Sequence, residues 1–363
     1  VVKPSRLLVS SYEIPTATPE SDGTLDWDAT TLVTCELEWD GVHGFGYTYA
    51  SVAAAAVIEH HLAKVVLAAD SSRAAGVFAD LGRAVRNIGR DGIAAMAIAA
   101  VDMAIWDWRA RRANLPLADF IGRARPSIDA YGSGGFTNYT DAQLAEQLRG
   151  WAECGLGRVK MKIGRADPGG RARVGRAAIG DAVALFVDAN GAFTPYEAID
   201  VAHELRASNV TWFEEPVPEP DLDGLRFVRD HAPRGVPIAV GEYGYERRDF
   251  AAILERACVD VLQADATRCG VTGFLEAAAL SAARNVPLSS HCAPSIHAHL
   301  GCAVDAMVHC EWFFDHARIE RMLFDGAPTL EHGALAPSAR PGIGIRLRRE
   351  AAAPYQTFRK ELS

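Results

Sequence analysis

The sequence predicts an α/β fold in which an eight-stranded parallel barrel follows a smaller α+β unit. The chain has 363 residues, which is too many for one ordinary compact core. After Pro126, short apolar runs typical of strands recur eight times, mostly at intervals of about 22 to 31 residues. Each interval holds an alanine- and leucine-rich stretch typical of a helix, so the period is that of a βα unit in a closed barrel.

The part of the chain before Pro126 is predicted to begin with strands and to continue with helices. Residues 5–14, 30–39 and 43–50 are rich in β-branched and aromatic residues, and Asp40-Gly41 marks a turn between the last two. From residue 51 to residue 113 the sequence is rich in alanine and predicts helices.

The eight barrel strands are predicted at 128–132, 158–163, 184–188, 210–214, 237–241, 259–263, 286–290 and 307–312. The end of the sequence contains several prolines and glycines and is expected to pack back on the first domain. We therefore expect an α+β domain over residues 1–125, a barrel over 126–325, and a returning segment over 326–363.

Composition and charge argue against several classes of protein. Apolar residues make up 49% of the chain and charged residues 23%, as in a globular protein. The net charge is −9 and the basic residues are scattered, so no nucleic acid is expected as a partner. The most apolar stretch, 53–69, is interrupted by charged residues and predicts no membrane span. Seven dispersed cysteines without a Cys-x-x-Cys pair argue against a disulfide framework and favour a cytoplasmic setting.

Ionisable residues fall at the carboxyl ends of seven consecutive predicted strands, the face that carries the βα loops of a barrel. One acid at a strand end is more often solvated or paired than catalytic. Seven such ends around one axis would repel one another unless a cation and a charged ligand lie among them. The ionisable set comprises Lys160, Lys162, Asp188, Glu214, Glu215, Glu242, Asp265, His291 and Glu311, and the polar Asn190 follows Asp188 on the same strand end.

Three acids on adjacent strands, Asp188, Glu214 and Glu242, supply hard oxygen ligands and favour Mg²⁺ over zinc. Glu215, next to Glu214, stays open as an alternative ligand. The metal would act as a Lewis acid on a substrate carboxylate and stabilise the enediolate that forms when the α-proton leaves.

Two candidate groups for proton transfer come from different strands. Lys160 and Lys162 alternate along one strand and are both expected to point inward. Near the second lysine and the metal, we expect the pKa of Lys162 to be depressed so that it serves as a base near neutral pH, while Lys160 stays charged and binds the substrate carboxylate. The alternative is that both lysines only balance the acids. Asp265 is expected to contact His291 on the next strand and to fix its tautomer.

Glu311 closes the set on the eighth strand. If it is neutral in a buried site, it can donate a hydrogen bond to the substrate carboxylate oxygen that gains charge.

The ordered series of motifs resembles the mandelate racemase subgroup of the enolase superfamily, the mandelate racemase/muconate lactonizing enzyme family. The resemblance covers nearly the whole chain and implies a modified TIM barrel, (β/α)7β, with an N-terminal α+β capping domain. It also implies one Mg²⁺ per subunit on Asp188, Glu214 and Glu242, and acid–base roles for Lys162 and the His291–Asp265 pair. The motifs are 160–162, 187–190, 212–216, 241–242, 264–273 and 289–291, together with the helical stretch 101–107.

The sequence departs from parts of this superfamily. In the muconate-cycloisomerase and dipeptide-epimerase branches a lysine would stand where Asp265 stands. Arg268 and Cys269 also differ from the commoner residues nearby, which affects the substrate contacts expected there.

In proteins that this chain resembles, an early loop of the capping domain closes over the site. Here that loop is expected at Thr16 to Thr30, and it contains four acids and Trp27. Its composition suits a hydroxylated substrate rather than an aromatic one, and we expect Trp27 and Asn190 to contact the substrate. The alternative is a solvated surface loop with an incidental Trp.

The resemblance implies α-proton abstraction from a small carboxylate substrate, and the favoured reaction is dehydration of an acid sugar, an aldonate or an aldarate. The alternative is a racemase or epimerase of a 2-hydroxy acid. A non-catalytic carboxylate-binding protein is a third hypothesis. Similar proteins are usually even-numbered assemblies, so a homo-oligomer is expected.

Overall fold

The structure is a computed structural model and describes residues 2–363. Its strands are, in chain order, β1 Pro4–Ser21, β2 Asp26–Trp39, β3 Val42–Tyr49, β4 Ile128–Gly134, β5 Arg158–Lys162, β6 Ala184–Asp188, β7 Val210–Glu214, β8 Ile238–Val240, β9 Val261–Ala264, β10 Leu288–Ser290, β11 Met307–Phe313, β12 Phe324–Asp325, β13 Leu330–Glu331, β14 Ala334–Leu335, β15 Arg346–Leu347 and β16 Gln356–Leu362.

The α-helices are α1 Ala53–Val57, α2 Ala63–Leu67, α3 Val77–Ala84, α4 Ile93–Arg112, α5 Leu117–Ile121, α6 Asp141–Glu153, α7 Pro168–Ile179, α8 Pro195–Arg206, α9 Leu222–His231, α10 Arg247–Glu255, α11 Ala266–Ala283, α12 Pro294–Ala303, α13 Phe314–Leu323 and α14 Arg349–Ala352. Ile58–Leu62 forms a π-helix, and Ser71–Gly76 and Ala353–Tyr355 are 3-10 helices. Within residues 2–363, no helix has the length and apolar character needed to cross a membrane.

Strands β4 to β11 form the barrel. Each is parallel to its neighbours, and β11 pairs with β4 to close the ring. A helix follows each strand, and several helices begin at capping side chains. Thr140 and Thr194, for example, each accept the backbone N–H of the residue three positions on and start α6 and α8. The predicted fold, an eight-stranded parallel barrel with a separate α+β domain, is confirmed.

A second, antiparallel sheet forms the capping domain, with the strand order β16-β1-β2-β3. Helix α4 packs against this sheet, and most of its residues are buried. The last strand reaches this sheet from the far end of the sequence, because Leu362 on β16 pairs with Leu7 on β1. Strand β14, in contrast, pairs with β4 of the barrel. The domain boundaries at residues 125 and 325 stay a prediction.

The segment Thr16–Thr30, expected to be a loop, is mostly a β-hairpin, so that expectation was wrong. β1 and β2 pair as far as Glu20 with Trp27 and Ser21 with Asp26. The turn between them is short because Oδ1 of Asp22 accepts the backbone N–H groups of Thr24 and Leu25, at 2.6 and 2.8 Å. The hairpin tip rests on the barrel, where Gly23 has no room for a Cβ beside the carbonyl oxygen of Ala189.

Candidate active site

Three buried carboxylates converge at the carboxyl end of the barrel. Asp188 pairs in register with Lys162 on one side and with Glu214 on the other, so one layer of the barrel carries all three side chains. Glu242 follows the end of β8. A carboxylate oxygen of Asp188, of Glu214 and of Glu242 each lies within 4.8 Å of the other two, and each side chain is at most 2% exposed.

Glu215 is placed differently from Glu214. It is also buried, but among residues 2–363 the converging group consists of Asp188, Glu214 and Glu242 without it. Its backbone has a φ of 40°, so the chain turns at this residue immediately after β7. The geometry therefore favours Glu214 over Glu215 as a ligand.

Two lysines contact these acids. Nζ of Lys162 lies 2.5 Å from Oδ2 of Asp188, and Nζ of Lys160 lies 2.6 Å from Oε1 of Glu214. Burial would lower the pKa of Lys162, but the charges of Asp188, Glu242 and Glu214 together outweigh burial and the pKa is raised. The expected depression of this pKa depends on the second lysine and on a bound metal together, so it stays a prediction.

The contacts of the three acids fit a divalent cation. Burial and the charge of Asp188 raise the pKa of Glu214 well above its usual range, so like charges are crowded here. Oε2 of Glu242 is buried and has no hydrogen-bond partner in the described chain. Converging, partly unsatisfied carboxylate oxygens are the ligands that Mg²⁺ prefers. The residues present therefore fit the metal that the sequence predicts.

Asp265 and His291 are brought together by neighbouring strands. Oδ2 of Asp265 lies 2.8 Å from Nδ1 of His291. Oδ1 of the same carboxylate accepts hydrogen bonds from the backbone N–H and the hydroxyl of Thr267, both at 2.7 Å. Burial would raise the pKa of Asp265, but the contact with His291 outweighs it and the pKa is lowered. Because the carboxylate engages Nδ1, Nε2 is the nitrogen that can exchange a proton with a substrate.

Glu311 is not the neutral donor that the sequence suggested. Its Oε1 lies 2.8 Å from Nζ of Lys160, and its Oε2 accepts the backbone N–H of Cys292 at 2.6 Å. Burial would raise its pKa, but Lys160 and His291 outweigh burial and the pKa is lowered. Glu311 is therefore an ionised acceptor, and the expectation that it donates a hydrogen bond is wrong in this structure.

A cavity of about 370 Å³ lies between the barrel mouth and the capping domain. The capping domain contributes Asp22, Trp27, Ala29, Thr30, Thr31, Tyr49, Ala50 and Ser51. The barrel contributes Lys162, Asn190, Glu242, Tyr243, Asp265, Thr267, Arg268, His291, Cys292, Glu311, Phe313 and His316. Lys160 lies outside this lining and is 1% exposed, so its contact with a substrate stays a prediction.

Trp27 and Asn190 both line the cavity. Nε1 of Trp27 donates a hydrogen bond to Oε2 of Glu20 at 3.0 Å, and the ring packs edge-on against Phe136. Oδ1 of Asn190 has no hydrogen-bond partner among residues 2–363. Both side chains are thus placed to contact a bound molecule, and their role stays a prediction.

Three further residues belong to this site; sequence reasoning noted Arg268 as an unusual residue near the expected substrate contacts and missed Trp212 and Cys292. Trp212 donates its indole N–H to Oε2 of Glu214 at 2.7 Å. Nη1 of Arg268 donates to the carbonyl oxygen of Glu242 at 3.0 Å. Sγ of Cys292 lies 3.2 Å from Nε2 of His291. Two features of the sequence could have indicated these contacts. Trp212 lies two residues before Glu214 on the same strand, so both share one face, and Cys292 directly follows His291.

One contact from the capping domain supports the segment that carries Asp265. α11 is kinked at Gly270, where φ is 77° and a Cβ would lie 2.7 Å from Oδ2 of Asp102. Asp102, on α4, accepts the backbone N–H of Thr272 at 2.9 Å and its hydroxyl at 2.7 Å. Asp102 thus holds the helix just past the kink and joins the two domains.

Comparison with known families gives matches over most of the chain. Residues 143–351 match the family described as enolase C-terminal domain-like. Residues 14–122 match the mandelate racemase / muconate lactonizing enzyme, N-terminal domain.

Individual proteins are similar over nearly their whole length. The L-talarate/galactarate dehydratase of Salmonella typhimurium is 30% identical over 356 residues, 93% of this chain and 87% of its own. The arabinonate dehydratase of Saccharolobus solfataricus is 28% identical over 333 residues, 87% of this chain and 88% of its own.

Solved structures agree with these matches. A mandelate racemase/muconate lactonizing enzyme-like protein from Rubrobacter xylanophilus superposes with a TM-score of 0.95 at 46% identity, covering 98% of this chain and 100% of its own. The Salmonella dehydratase liganded with Mg and L-lyxarohydroxamate superposes with a TM-score of 0.91 at 28% identity, covering 100% of this chain and 95% of its own.

Proposed function

The chain belongs to the mandelate racemase subgroup of the enolase superfamily, and we propose that it dehydrates an acid sugar, an aldonate or an aldarate. The family predicted from the ordered motifs is thereby confirmed. The observation that carries the proposal is the convergence of Asp188, Glu214 and Glu242 beside Lys162 and the Asp265–His291 pair. Relatives named as dehydratases of acid sugars support the substrate class.

Asp188, Glu214 and Glu242 would hold Mg²⁺, as the solved dehydratase with Mg supports. When bound, the cation would act as a Lewis acid on the substrate carboxylate and offset the charge that develops as the α-proton leaves. The negative charge of Asp188, which now raises the pKa of Lys162, would then be offset by the cation. Burial would lower that pKa, so the neutral amine would become available to accept a proton.

Lys162 takes the α-proton in this mechanism, and His291 protonates the departing β-hydroxyl through Nε2. The bond between the β-carbon and oxygen breaks as the carbon–carbon double bond of the enol forms. Water leaves, and the enol becomes a 2-keto-3-deoxy acid. Asp265 keeps the ring oriented by accepting from Nδ1, and it does not itself exchange the proton.

Racemisation or epimerisation is the second candidate, because the cavity offers two proton-transfer groups. Lys162 is the last residue of β5 and His291 follows β10, two strands that lie three places apart around the barrel, so the two side chains approach a bound carbon from different sides. If His291 returns a proton to the α-carbon instead of to a leaving hydroxyl, the configuration inverts.

One experiment separates these reactions. The enzyme with Mg²⁺ is incubated in deuterated water with a panel of aldonates and aldarates, and NMR follows both the α-proton and new products. Dehydration releases a 2-keto-3-deoxy acid. Racemisation gives the inverted acid with deuterium at the α-carbon. If no compound exchanges or reacts, the non-catalytic hypothesis replaces both.

A further inference from the structure

A second cluster of possible metal ligands lies next to the three acids. Nε2 of His291, Sγ of Cys292 and a carboxylate oxygen of Glu311 all lie within 4.8 Å of one another. All three residues line the cavity, although Cys292 and Glu311 expose at most 3% of their surface, so the cluster fits an occupant as small as a single ion. The nearest pair, Nε2 and Sγ, is 3.2 Å apart.

The backbone holds the thiol in this position. Cys292 and Ala293 have φ values of 54° and 41°, so two consecutive non-glycine residues adopt the left-handed conformation. The backbone N–H of Cys292 is fixed by its hydrogen bond to Oε2 of Glu311. Such a conformation persists only where the surrounding contacts enforce it. The thiol therefore lies beside the imidazole before any ligand arrives.

The chemistry of this cluster differs from that of the three acids. Imidazole, thiolate and carboxylate together form a ligand set typical of Zn²⁺, whereas Mg²⁺ prefers oxygen alone. Oε2 of Glu242 lies 3.5 Å from Nε2 of His291, but Glu242 belongs to the three acids that would hold Mg²⁺, so a fourth position around the cluster stays open. Water from the cavity can complete a tetrahedral arrangement.

We propose that His291, Cys292 and Glu311 bind a thiophilic divalent cation such as Zn²⁺, and that this cation stops turnover. The thiol of Cys292 releases its proton to solvent as the sulfur–metal bond forms. Nε2 of His291 donates its lone pair to the same ion, while Nδ1 stays on Asp265. Nε2 then cannot exchange a proton with a substrate, so inhibition follows even when Mg²⁺ is saturating.

Co²⁺ is the probe for the test, because a cobalt–thiolate bond gives a charge-transfer absorption that carboxylate ligands do not give. The protein is saturated with Mg²⁺ and then titrated with Co²⁺. We expect one thiolate-bound cobalt per chain in the native protein and none in Cys292→Ser. Cys154→Ser is the matched control, because Cys154 is exposed and outside the cavity, and it should keep the band.

A measurement on the unaltered protein guards against a folding defect in the variant. Alkylation of each cysteine is followed by mass spectrometry with and without Zn²⁺ at saturating Mg²⁺. Zn²⁺ should slow the alkylation of Cys292 at least tenfold and leave that of Cys154 unchanged. The proposal is overturned if native protein gives no cobalt–thiolate band, if Cys292→Ser keeps it, or if Zn²⁺ fails to protect Cys292. None of these outcomes depends on which acid sugar is the substrate.

Discussion

Nε1 of Trp212 donates a hydrogen bond to Oε2 of Glu214 at 2.7 Å, so the indole orients a carboxylate that we propose as a metal ligand. Groups that orient metal ligands typically contribute about 10- to 100-fold to metal affinity. We therefore expect Trp212→Phe to weaken Mg²⁺ binding by about that factor, as measured by calorimetric titration. Trp108→Phe is the matched control, because it removes an indole hydrogen bond to the carbonyl oxygen of Trp39 within the capping domain. Equal affinity in both variants would contradict the orienting role.

Mg²⁺ should also stabilise the fold, because it relieves the repulsion among the three buried acids. A ligand at 100 times its dissociation constant adds about 2.7 kcal/mol to the free energy of unfolding. The melting temperature should rise with Mg²⁺, fall again with a chelator, and stop responding in Asp188→Asn. Asp119→Asn, which alters a partly exposed acid paired with Arg123, should keep the response. If Mg²⁺ leaves the melting temperature of the native protein unchanged, the proposed metal site is contradicted.

Substitution of the two proton-transfer groups should impair different steps of the reaction. Lys162→Met should lower the rates of both α-proton exchange and product formation by about 10²- to 10⁴-fold, because the base is gone. His291→Asn should stop the loss of water while Lys162 continues to exchange the α-proton. NMR in deuterated water measures both rates. Lys360→Met and His60→Asn, at half-exposed or more exposed side chains, are the controls. If both site variants turn over normally, the mechanism is wrong.

The charges of the cavity wall favour aldonates over aldarates. The residues that the capping domain contributes include one acid, Asp22, and no cation. On the barrel side, Arg268 is tied to Glu242, while burial and His291 lower the pKa of His316 to about 3 and keep it neutral. A second substrate carboxylate would thus be left unpaired.

We expect kcat/KM to be at least about tenfold higher for an aldonate than for the aldarate of the same configuration. Thr31→Lys, which adds a cation to the wall, should narrow this ratio, whereas Thr18→Lys on the exposed part of the hairpin should not. A preference for aldarates in the unaltered enzyme would contradict the prediction without affecting the assignment as an acid-sugar dehydratase.

Buried Glu320 should make stability depend on pH. It accepts hydrogen bonds from Tyr47 and Ser295, yet burial raises its pKa from 4.5 to about 7. A raised pKa in the folded state stabilises the protein fully below pH 4.5, and this contribution, about 3 kcal/mol, is lost as the pH rises through 7. The melting temperature of the native protein should therefore fall relative to Glu320→Gln between pH 5 and pH 8. If the melting temperatures of the native protein and of Glu320→Gln change with pH in parallel, the raised pKa of Glu320 is contradicted.

The fold was predictable because strands and helices alternate with a regular period, and the alternation of Lys160 and Lys162 placed both inside the barrel. The ionisation of Glu311 was not predictable, because it depends on Lys160, a contact across the closing seam of the barrel. The hairpin at Thr16–Thr30 was missed because its acidic and proline-containing sequence resembles a loop, while pairing of Glu20 with Trp27 decides its structure. The cluster of His291, Cys292 and Glu311 could not be predicted from the sequence, because it depends on the backbone conformation of the turn after β10.

The pairing of Leu7 on β1 with Leu362 on β16 places a constraint on biosynthesis. β1 emerges from the ribosome long before its edge partner exists, and the whole barrel is made in the interval. During that time one side of β1 presents unpaired backbone groups that can join a wrong strand. The hairpin that covers the cavity belongs to this sheet, so catalytic competence should appear only after β16 docks on β1.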